Sequence, residues 1–291
     1  MGAVLVTGGS GQVGGAIARL ALGREIVAPR RDALDLTDPA ALAAMVESRE
    51  WAAVVNCAAY TAVDRAESDV VAAWTINALA PAALAAATAR KGIPLIQLST
   101  DYVFDGTKSG AYTETDPIAP IGVYGASKEG GEQAVRTANP AHVILRTAWV
   151  VSATGSNFVK TMLRLAADRD ELRVVADQHG CPTGADDIAR AVLTILDRID
   201  DPAAFGTYHL VNQGEATWAD LAEAVFARAA AHGGKAPRVG RIATKDYPTP
   251  AARPANSRLD TAKLRRQFGI VPRDWRVMID EIVDQLMEKT A

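Results

Sequence analysis

The segment Val4–Gly14 reads VLVTGGSGQVG, a short apolar run followed directly by a glycine-rich turn. A continuously apolar run of this kind is typical of a strand buried on both faces of a parallel sheet. In such a turn Gly8 permits the tight bend, Gly11 lets the backbone approach a pyrophosphate, and Gly14 lets the following helix pack closely on the strand. The N-terminus of that helix would offer free N–H groups to the phosphates. The segment therefore predicts a dinucleotide-binding turn, and a glycine-rich loop without a ligand is the alternative. The predicted cofactor contacts in this turn are Gly8, Ser10, Gly11, Gln12 and Val13.

Further apolar runs follow at intervals wide enough for a helix between each pair. This alternation predicts strand–helix–strand units and hence an α/β fold of the Rossmann type, with a doubly wound parallel sheet. Asp38-Pro39 has the form of a helix start, because aspartate caps and proline suits the first helical position. A long helix is expected from about Asp69 to Arg90. The predicted strands are Ala3–Thr7, Glu25–Ala28, Ala53–Cys57, Pro94–Ser99 and His142–Arg146.

The pattern changes after about Trp149. We expect residues 1–150 to form an NAD(P)-binding domain, with a segment near 175–212 returning to it. Residues 151–291 would then form mainly a smaller, mostly helical substrate-binding region. Glycine, proline and basic residues between Gly233 and Pro254 predict long loops over a site. The helices expected in this part are 157–167, 186–198, 218–231, 259–268 and 275–287.

Composition excludes several classes of protein. The 291 residues suffice for one large domain or two joined domains, and 49% hydrophobic with 22% charged residues is ordinary for a globular protein. A net charge of −3 argues against a nucleic-acid binder that relies on basic charge. Two cysteines and four histidines argue against a disulfide framework or a metal site built from these residues. The N-terminus lacks the features of a signal peptide, so we expect a cytoplasmic protein with no membrane partner.

The end of the second predicted strand bears on the choice of cofactor. Arg30 and Arg31 follow that strand, where an acidic residue would favour NAD and an arginine can accept the 2′-phosphate of NADP. The pair therefore favours NADPH, with NADH as the alternative, and two solvated arginines remain a second explanation. Asp35 and Leu36 are expected beside the adenine.

Tyr124 and Lys128 form a Y-x-x-x-K pair. Positions four apart share one face of a helix, so the phenol and the ammonium would lie together. A neighbouring cation favours the phenolate and would lower the pKa of tyrosine towards the working pH, as a general acid–base requires. Thr100 ends the fourth predicted strand, at the sheet edge where ligands of open α/β folds bind. The three residues predict a catalytic group, whereas Tyr124 and Lys128 alone would also fit an ordinary surface pair.

Together with the glycine turn, several longer motifs resemble the extended short-chain dehydrogenase/reductase superfamily. The resemblance covers nearly the whole chain, and the stretches Leu98–Gly106 and Asp177–Thr183 are far more specific than the glycines. The matching stretches are Thr7–Gly14, Asn56–Glu67 (NCAAYTAVDRAE), Asn77–Pro81 (NALAP), Leu98–Gly106 (LSTDYVFDG), Tyr124–Lys128, Leu145–Trp149 (LRTAW), Asn157–Phe158, Asp177–Thr183 (DQHGCPT) and Arg253–Leu259 (RPANSRL).

The resemblance implies an activity and a role for each catalytic candidate. It implies reduction by NAD(P)H of the 4-keto group of dTDP-4-dehydro-6-deoxy-L-mannose, giving dTDP-L-rhamnose. Tyr124 would donate the proton to the forming oxyanion. Lys128 would hold the nicotinamide ribose and depress the pKa of Tyr124, and Thr100 would hydrogen-bond the carbonyl oxygen. A homodimer is expected on the same ground.

The resemblance also implies further contacts. Ala58, Ala59 and Tyr60 would line the cofactor, and Asn77 would lie behind the catalytic lysine. Arg253 is the candidate for a substrate phosphate, because a guanidinium offers paired donors. Gln178 and Thr183 would shape the nucleotide pocket. The expected substrate contacts are Thr100, Asp101, Tyr102, Trp149, Asn157, Phe158 and Arg253.

Two departures from the family pattern stand out. Some members carry a glutamate shortly after the glycine turn that joins a magnesium site between subunits. Residues 14–17 offer no carboxylate there, so we predict no metal site. Gly130 and Gly131 lie inside the predicted catalytic helix, where each costs about 1 kcal/mol relative to alanine.

Three alternatives remain open at this point, whereas a fourth, dehydration, is disfavoured. A 4,6-dehydratase would need an acid–base pair, usually read as T-D-E, whereas this chain has Tyr102 after Thr100 and Asp101. An epimerase, or a reductase for another nucleotide 4-keto sugar, stays open. So does a non-catalytic NADP(H)-binding regulatory subunit, as in methionine adenosyltransferase.

Overall fold

Strands and helices alternate through the first half of the chain. The structure, a computed structural model, describes residues 2–288. The strands are β1 (Val4–Thr7), β2 (Ile26–Val27), β3 (Ala53–Asn56), β4 (Leu95–Thr100), β5 (His142–Thr147), β6 (Val150–Val151), β7 (Glu171–Val175), β8 (His179–Gly180), β9 (Thr183–Gly184), β10 (Gly206–His209), β11 (Ala216–Thr217) and β12 (Arg238–Ile242). The helices are α1 (Gln12–Leu20), α2 (Pro39–Glu47), α3 (Val63–Ala66), α4 (Val70–Trp74), α5 (Ala80–Lys91), α6 (Val123–Ala138), α7 (Phe158–Asp168), α8 (Ala185–Leu196), α9 (Trp218–Ala231), α10 (Ala262–Phe268) and α11 (Trp275–Glu288).

The central sheet has six strands in the order β10-β5-β4-β3-β1-β2, and every pairing in it is parallel. From β1 the chain crosses to β2 on one side and then returns to β3 on the other. This reversal places a crevice at the carboxyl ends of β1 and β3, which is where open α/β sheets bind ligands. The predicted fold class is confirmed, and each of the five predicted strands has a counterpart in this sheet.

Apolar residues on alternate sides of the strands build a core on each face of the sheet. On one face Val4 and Val6 pack with residues of α1, α8 and α10. On the other face Leu5 and Val54 pack with residues of α2, α5 and α6. The two layers fix the ends of β1, β3 and β4 relative to α6, which carries Tyr124 and Lys128. Asp38 caps α2 as expected, because its carboxylate accepts from two backbone N–H groups.

The C-terminal part has its own apolar core between α7, α9, α11 and β7. It also contains strands that the sequence pattern did not predict. β12 lies inside the stretch expected to be loops and pairs in parallel with β7, so that expectation was wrong for residues 238–242. α8 and β10 pack against the central sheet. The proposed division at residues 150 and 151 stays a prediction.

The helix expected from about Asp69 to Arg90 is a continuous helical segment over residues 70–91. It contains a π-helical stretch, Thr75–Leu79, between α4 and α5. By length and composition alone this segment could cross a membrane. Several of its residues are instead buried against the sheet and neighbouring helices, as in the core helix of a soluble protein, so this property is weak evidence for a membrane.

Candidate active site

A cavity of about 530 Å³ opens at the carboxyl ends of β1 and β3. Tyr124 and Lys128 of α6 line it together with the glycine turn. Most of the predicted cofactor contacts therefore lie around one space. Those that line it are Gly8, Ser10, Gly11, Gln12, Val13, Asp35, Leu36, Ala58, Ala59, Tyr124 and Lys128.

The glycine turn has the shape that a bound diphosphate requires. Gly8 has a φ of +73°, and a Cβ there would lie 2.8 Å from the backbone nitrogen of Ala58. A Cβ on Gly14 would overlap the carbonyl oxygen of Gly8. Gly11 begins α1 without a side-chain cap, which leaves the first N–H groups of the helix directed at the cavity. The residues present fit a dinucleotide.

Arg31 lines this cavity and also a second one beside it, of about 750 Å³. Arg30 lines only the second cavity, with Gly9 and Ser10 of the turn. The Arg30 guanidinium lies 3.6 Å from the carboxylate of Asp32, and both side chains are exposed. The two arginines therefore flank the space next to the turn, and Arg31 is the one shared with the main cavity.

Lys128 lines the cavity, and its side chain is almost wholly buried. Its Nζ donates to the carbonyl oxygen of Leu98 at 2.7 Å. An ammonium has three N–H donors, so this bond leaves two for other partners. Burial lowers the pKa of Lys128 to about 8, and the charge of Glu132 acts in the opposite direction.

The phenol of Tyr124 has a pKa that differs from the expected direction. Burial raises it to about 12, and the hydroxyl of Thr100 offsets this only in part. Burial is the largest effect on this pKa, so the predicted lowering of the pKa of Tyr124 was wrong. Tyr124 is consequently a neutral phenol that holds its proton through the physiological range, which suits a proton donor.

Thr100 and Asp101 lie at the end of β4, beside Tyr124. The Thr100 hydroxyl donates to the Asp101 carboxylate at 3.0 Å. Asp101 is buried, and burial raises its pKa to about 6. The ring of Tyr102 meets the ring of Tyr124 edge-on, with centroids 5.4 Å apart. The expected substrate residues at this strand end therefore surround the phenol, although Thr100 itself does not line the main cavity.

Asn77 lies in the π-helical stretch and ties three elements together. Its side chain accepts from the backbone N–H of Tyr60 at 2.8 Å and donates to the Ser127 hydroxyl at 3.0 Å. Single-turn π-helices frequently occur at functional sites. Tyr60 itself turns away, since its hydroxyl donates to Asp69 at 3.0 Å. Among the described residues, Thr61 rather than Tyr60 lines the cavity.

Three aromatic side chains stack in the C-terminal part. The rings of Trp149 and Trp218 are nearly parallel with centroids 3.6 Å apart, and Phe158 packs on Trp218 at 4.8 Å. Trp149 has a φ of +48°, a strained conformation for a bulky residue. The Trp218 indole donates to Gln178 at 3.1 Å, which links this stack to the D-Q-x-G-x-P-T stretch. Trp218 was missed because a tryptophan at a helix start gives no signal of a site.

Asn157 and Arg253, both expected to meet the substrate, already have protein partners. The Asn157 side chain caps α7 and donates to Gln12 of the glycine turn at 2.9 Å. The Arg253 guanidinium donates to the Asp64 carboxylate. Asn157 therefore acts as a bridge between the two parts of the chain. Nothing in the sequence pairs Asp64 with Arg253.

Other residues line the cavity without having been singled out. Some of them lie within the quoted motifs, but none of them was predicted from the sequence as a contact. They are Thr7, Cys57, Thr61, Ile76, Thr147, Gly155 and Ser156. Within residues 2–288 no group of three or more His, Cys, Asp or Glu side chains is placed to hold a metal ion.

Comparison with known proteins gives matches along almost the full length of the chain. The family model described as the RmlD substrate binding domain matches residues 2–288. The dTDP-4-dehydrorhamnose reductase of Burkholderia thailandensis is 46% identical, over 98% of this chain and 99% of that protein. A dTDP-4-dehydrorhamnose reductase structure from Clostridium acetobutylicum gives a TM-score of 0.92 at 37% identity, over 98% of this chain and 99% of its own. The structure of the dTDP-4-dehydrorhamnose reductase of Bacillus anthracis in complex with NADP gives a TM-score of 0.91 at 33% identity, over 98% of this chain and 99% of its own.

Proposed function

This chain belongs to the dTDP-4-dehydrorhamnose reductase family, and on that premise we propose that it uses NADPH to reduce dTDP-4-dehydro-6-deoxy-L-mannose to dTDP-L-rhamnose. One observation carries the proposal at the level of the site. Tyr124 and Lys128 line the same cavity as the glycine turn, so a proton donor and a cofactor-binding cation meet one dinucleotide site.

Bound NADPH supplies the hydride for carbon 4 of the sugar, since such chemistry belongs to the cofactor. The protein's task is to position the reactants and to deliver the proton. The turn from Gly8 to Gly14 would hold the diphosphate, and the two N–H donors that Lys128 keeps free would reach the nicotinamide ribose.

Tyr124 donates its proton to the sugar oxygen as negative charge develops there. The raised pKa of about 12 keeps this proton on the phenol until that moment. Thr100 lies beside the phenol, and its hydroxyl has a single proton, which it gives to Asp101. Thr100 is therefore placed to orient the phenol, and it can donate to the substrate only when Asp101 no longer takes its proton.

The substrate would lie between the strand-end residues and the aromatic stack. Tyr102 and Trp149 offer faces for the sugar, and Arg253 offers its guanidinium to a phosphate. The same proposal includes a cytoplasmic location and a homodimer. Light scattering on the purified protein would give a mass of one chain if the dimer does not form.

A direct assay tests the proposed function. The purified protein, NADPH and dTDP-4-dehydro-6-deoxy-L-mannose are mixed, the loss of NADPH absorbance is followed, and the product is compared with dTDP-L-rhamnose by chromatography. NADH and other nucleotide 4-keto sugars are run in parallel. Turnover without added NADPH would indicate an epimerase. Tight NADPH binding without oxidation on any of these sugars would indicate a regulatory subunit.

A further inference from the structure

Glu132 lies eight residues after Tyr124 and four after Lys128 on α6, so the three side chains follow one face of the helix. Its side chain is fully buried, and it does not line the cavity. Two guanidinium groups hold the carboxylate. Arg146 of β5 donates to it at 2.9 and 2.7 Å, and Arg136 of α6 donates at 2.8 Å.

Stability alone does not explain this buried cluster. Removing two charges from water costs so much that a buried ion pair is often replaceable by apolar residues of similar volume without loss. Arg146 even keeps one buried nitrogen, Nη1, without a hydrogen-bond partner in the structure. The carboxylate belongs to a residue one helical turn after Lys128 on the same face of α6. This position points to an electrostatic effect on the buried ammonium.

We propose that Glu132 is a positioning residue whose fixed negative charge keeps the ammonium of Lys128 protonated, so that it can donate to the cofactor ribose. Arg146 and Arg136 hold the carboxylate in place for this purpose. The inference rests on the proposed function only in assigning the cofactor ribose to Lys128.

The groups that face Lys128 support this assignment. From β3 and the segment after it, the Cys57 thiol is neutral, because burial raises its pKa to about 12. The phenol of Tyr124 is neutral for the same reason. The Leu98 carbonyl of β4 accepts a hydrogen bond but carries no charge. Glu132 is then the principal charge that opposes the loss of the Lys128 proton on burial.

The groups that face Glu132 keep it ionised. Arg146 and Arg136 outweigh burial, so the pKa of the carboxyl group is lowered. Glu129 lies 3.6 Å from Arg136 and shares that cation. Across the sheet, His209 pairs in register with Arg146 and is neutral, since burial lowers its pKa to about 3. The carboxylate charge is therefore constant over the range in which Lys128 titrates.

Glu132→Gln keeps the shape of the side chain and removes its charge. Lys128 should then lose its proton at a pH about one unit lower, which is the size of effect expected from one nearby charge. Below that pH the variant should bind NADPH almost like the wild type, and above it the variant should bind more weakly.

The test follows the titration of Lys128 in the full chain labelled with carbon-13 at the lysine Cε. Its resonance is identified by its loss in Lys128→Met. The control is Val135→Ala, which removes buried packing from the same helix without changing a charge. We expect the wild type and the control to titrate near pH 8 and Glu132→Gln to titrate lower. An unchanged titration in Glu132→Gln would overturn the inference.

Two further measurements keep the test decisive. If Glu132→Gln does not fold, the double variant Glu132→Gln with Arg146→Met replaces both ions by neutral side chains and should also lower the Lys128 titration, by less than Glu132→Gln because a cation is removed as well. NADPH binding, followed by fluorescence, should weaken at a lower pH in parallel with the titration. The Lys128 titration needs neither substrate nor turnover. A lowered titration in Glu132→Gln together with no sugar reduction by the wild type would therefore contradict the proposed function and leave this inference standing.

Discussion

The Arg253 guanidinium donates two hydrogen bonds to the Asp64 carboxylate, at 3.0 and 2.9 Å, across 189 positions of the chain. The pair connects the loop before α10 to α3, which follows β3. Arg253 also acts electrostatically on Tyr102, so it lies near the strand-end residues. Asp64 therefore fixes a guanidinium close to where we place the substrate.

Arg253→Ala should raise the KM for the sugar nucleotide about 10- to 100-fold, the range expected for a lost charge-assisted hydrogen bond to a phosphate. Asp64→Asn should raise it only about two- to fivefold, because a partly exposed ion pair contributes little by itself. Steady-state kinetics at saturating NADPH measure both values. Arg258→Ala, which breaks a comparable set of contacts in the same segment, is the control and should leave KM unchanged. Equal losses of stability with unchanged KM in both test variants would make Arg253 a purely structural tether.

Tyr124→Phe removes the phenolic proton and leaves the ring that packs against Tyr102. We expect kcat to fall by about 10²- to 10⁴-fold, the usual contribution of a general acid. NADPH binding and the unfolding midpoint should stay close to the wild-type values. Unchanged turnover would remove Tyr124 from its proposed role. Since its pKa is raised to about 12, no loss of wild-type activity between pH 6 and 8 should come from this group.

The fold could be predicted where strands are buried on both sides. β1, β3, β4 and β5 are almost wholly buried, and each contains two or more consecutive apolar residues. β12 could not be predicted in this way. Its residues are exposed or partly exposed, and two of them are arginines. It becomes a strand by pairing with β7, in a register that begins with Arg238 opposite Glu171. A strand made by a distant partner leaves no local pattern.

In the candidate site, too, the features set by local spacing could be predicted, and those set by tertiary contacts could not. The glycine turn and the pair of Tyr124 and Lys128 depend on spacing within one element, so the sequence predicts them. The pKa direction of Tyr124 depends on how many atoms of other segments surround the phenol, which spacing does not reveal. The hydrogen bond from Asn157 to Gln12 is also a tertiary contact, across 145 positions.

The two arginines after β2 should decide the preference for NADPH. Arg31 lines both cavities, whereas Arg30 lines only the outer one, so Arg31→Glu should weaken NADPH binding more than Arg30→Glu. NADH lacks the 2′-phosphate and should be affected much less. Fluorescence titration with each cofactor measures the ratio of the dissociation constants. Arg266→Glu on α10 makes the same charge change at an exposed position and is the control. An equal loss for NADH and NADPH would show that neither arginine contacts the 2′-phosphate.

The neighbouring glycines of α6 should respond differently to alanine. A Cβ on Gly131 would overlap the backbone carbonyl oxygen of Asn77, which cannot move without displacing the π-helical stretch. A Cβ on Gly130 would meet the far edge of the Trp74 ring at 2.8 Å, and that half-exposed side chain can shift. Alanine also gains about 1 kcal/mol over glycine inside a helix.

We therefore expect Gly131→Ala to lower the free energy of unfolding by about 1–3 kcal/mol, as overpacking does, and Gly130→Ala to leave it unchanged or slightly higher. Urea unfolding of the two variants measures the difference, and equal stability would mean that α6 and the π-helical stretch separate more easily than their contact implies. Because Asn77 holds the backbone of Tyr60, Gly131→Ala should also weaken NADPH binding, whereas Gly130→Ala should not.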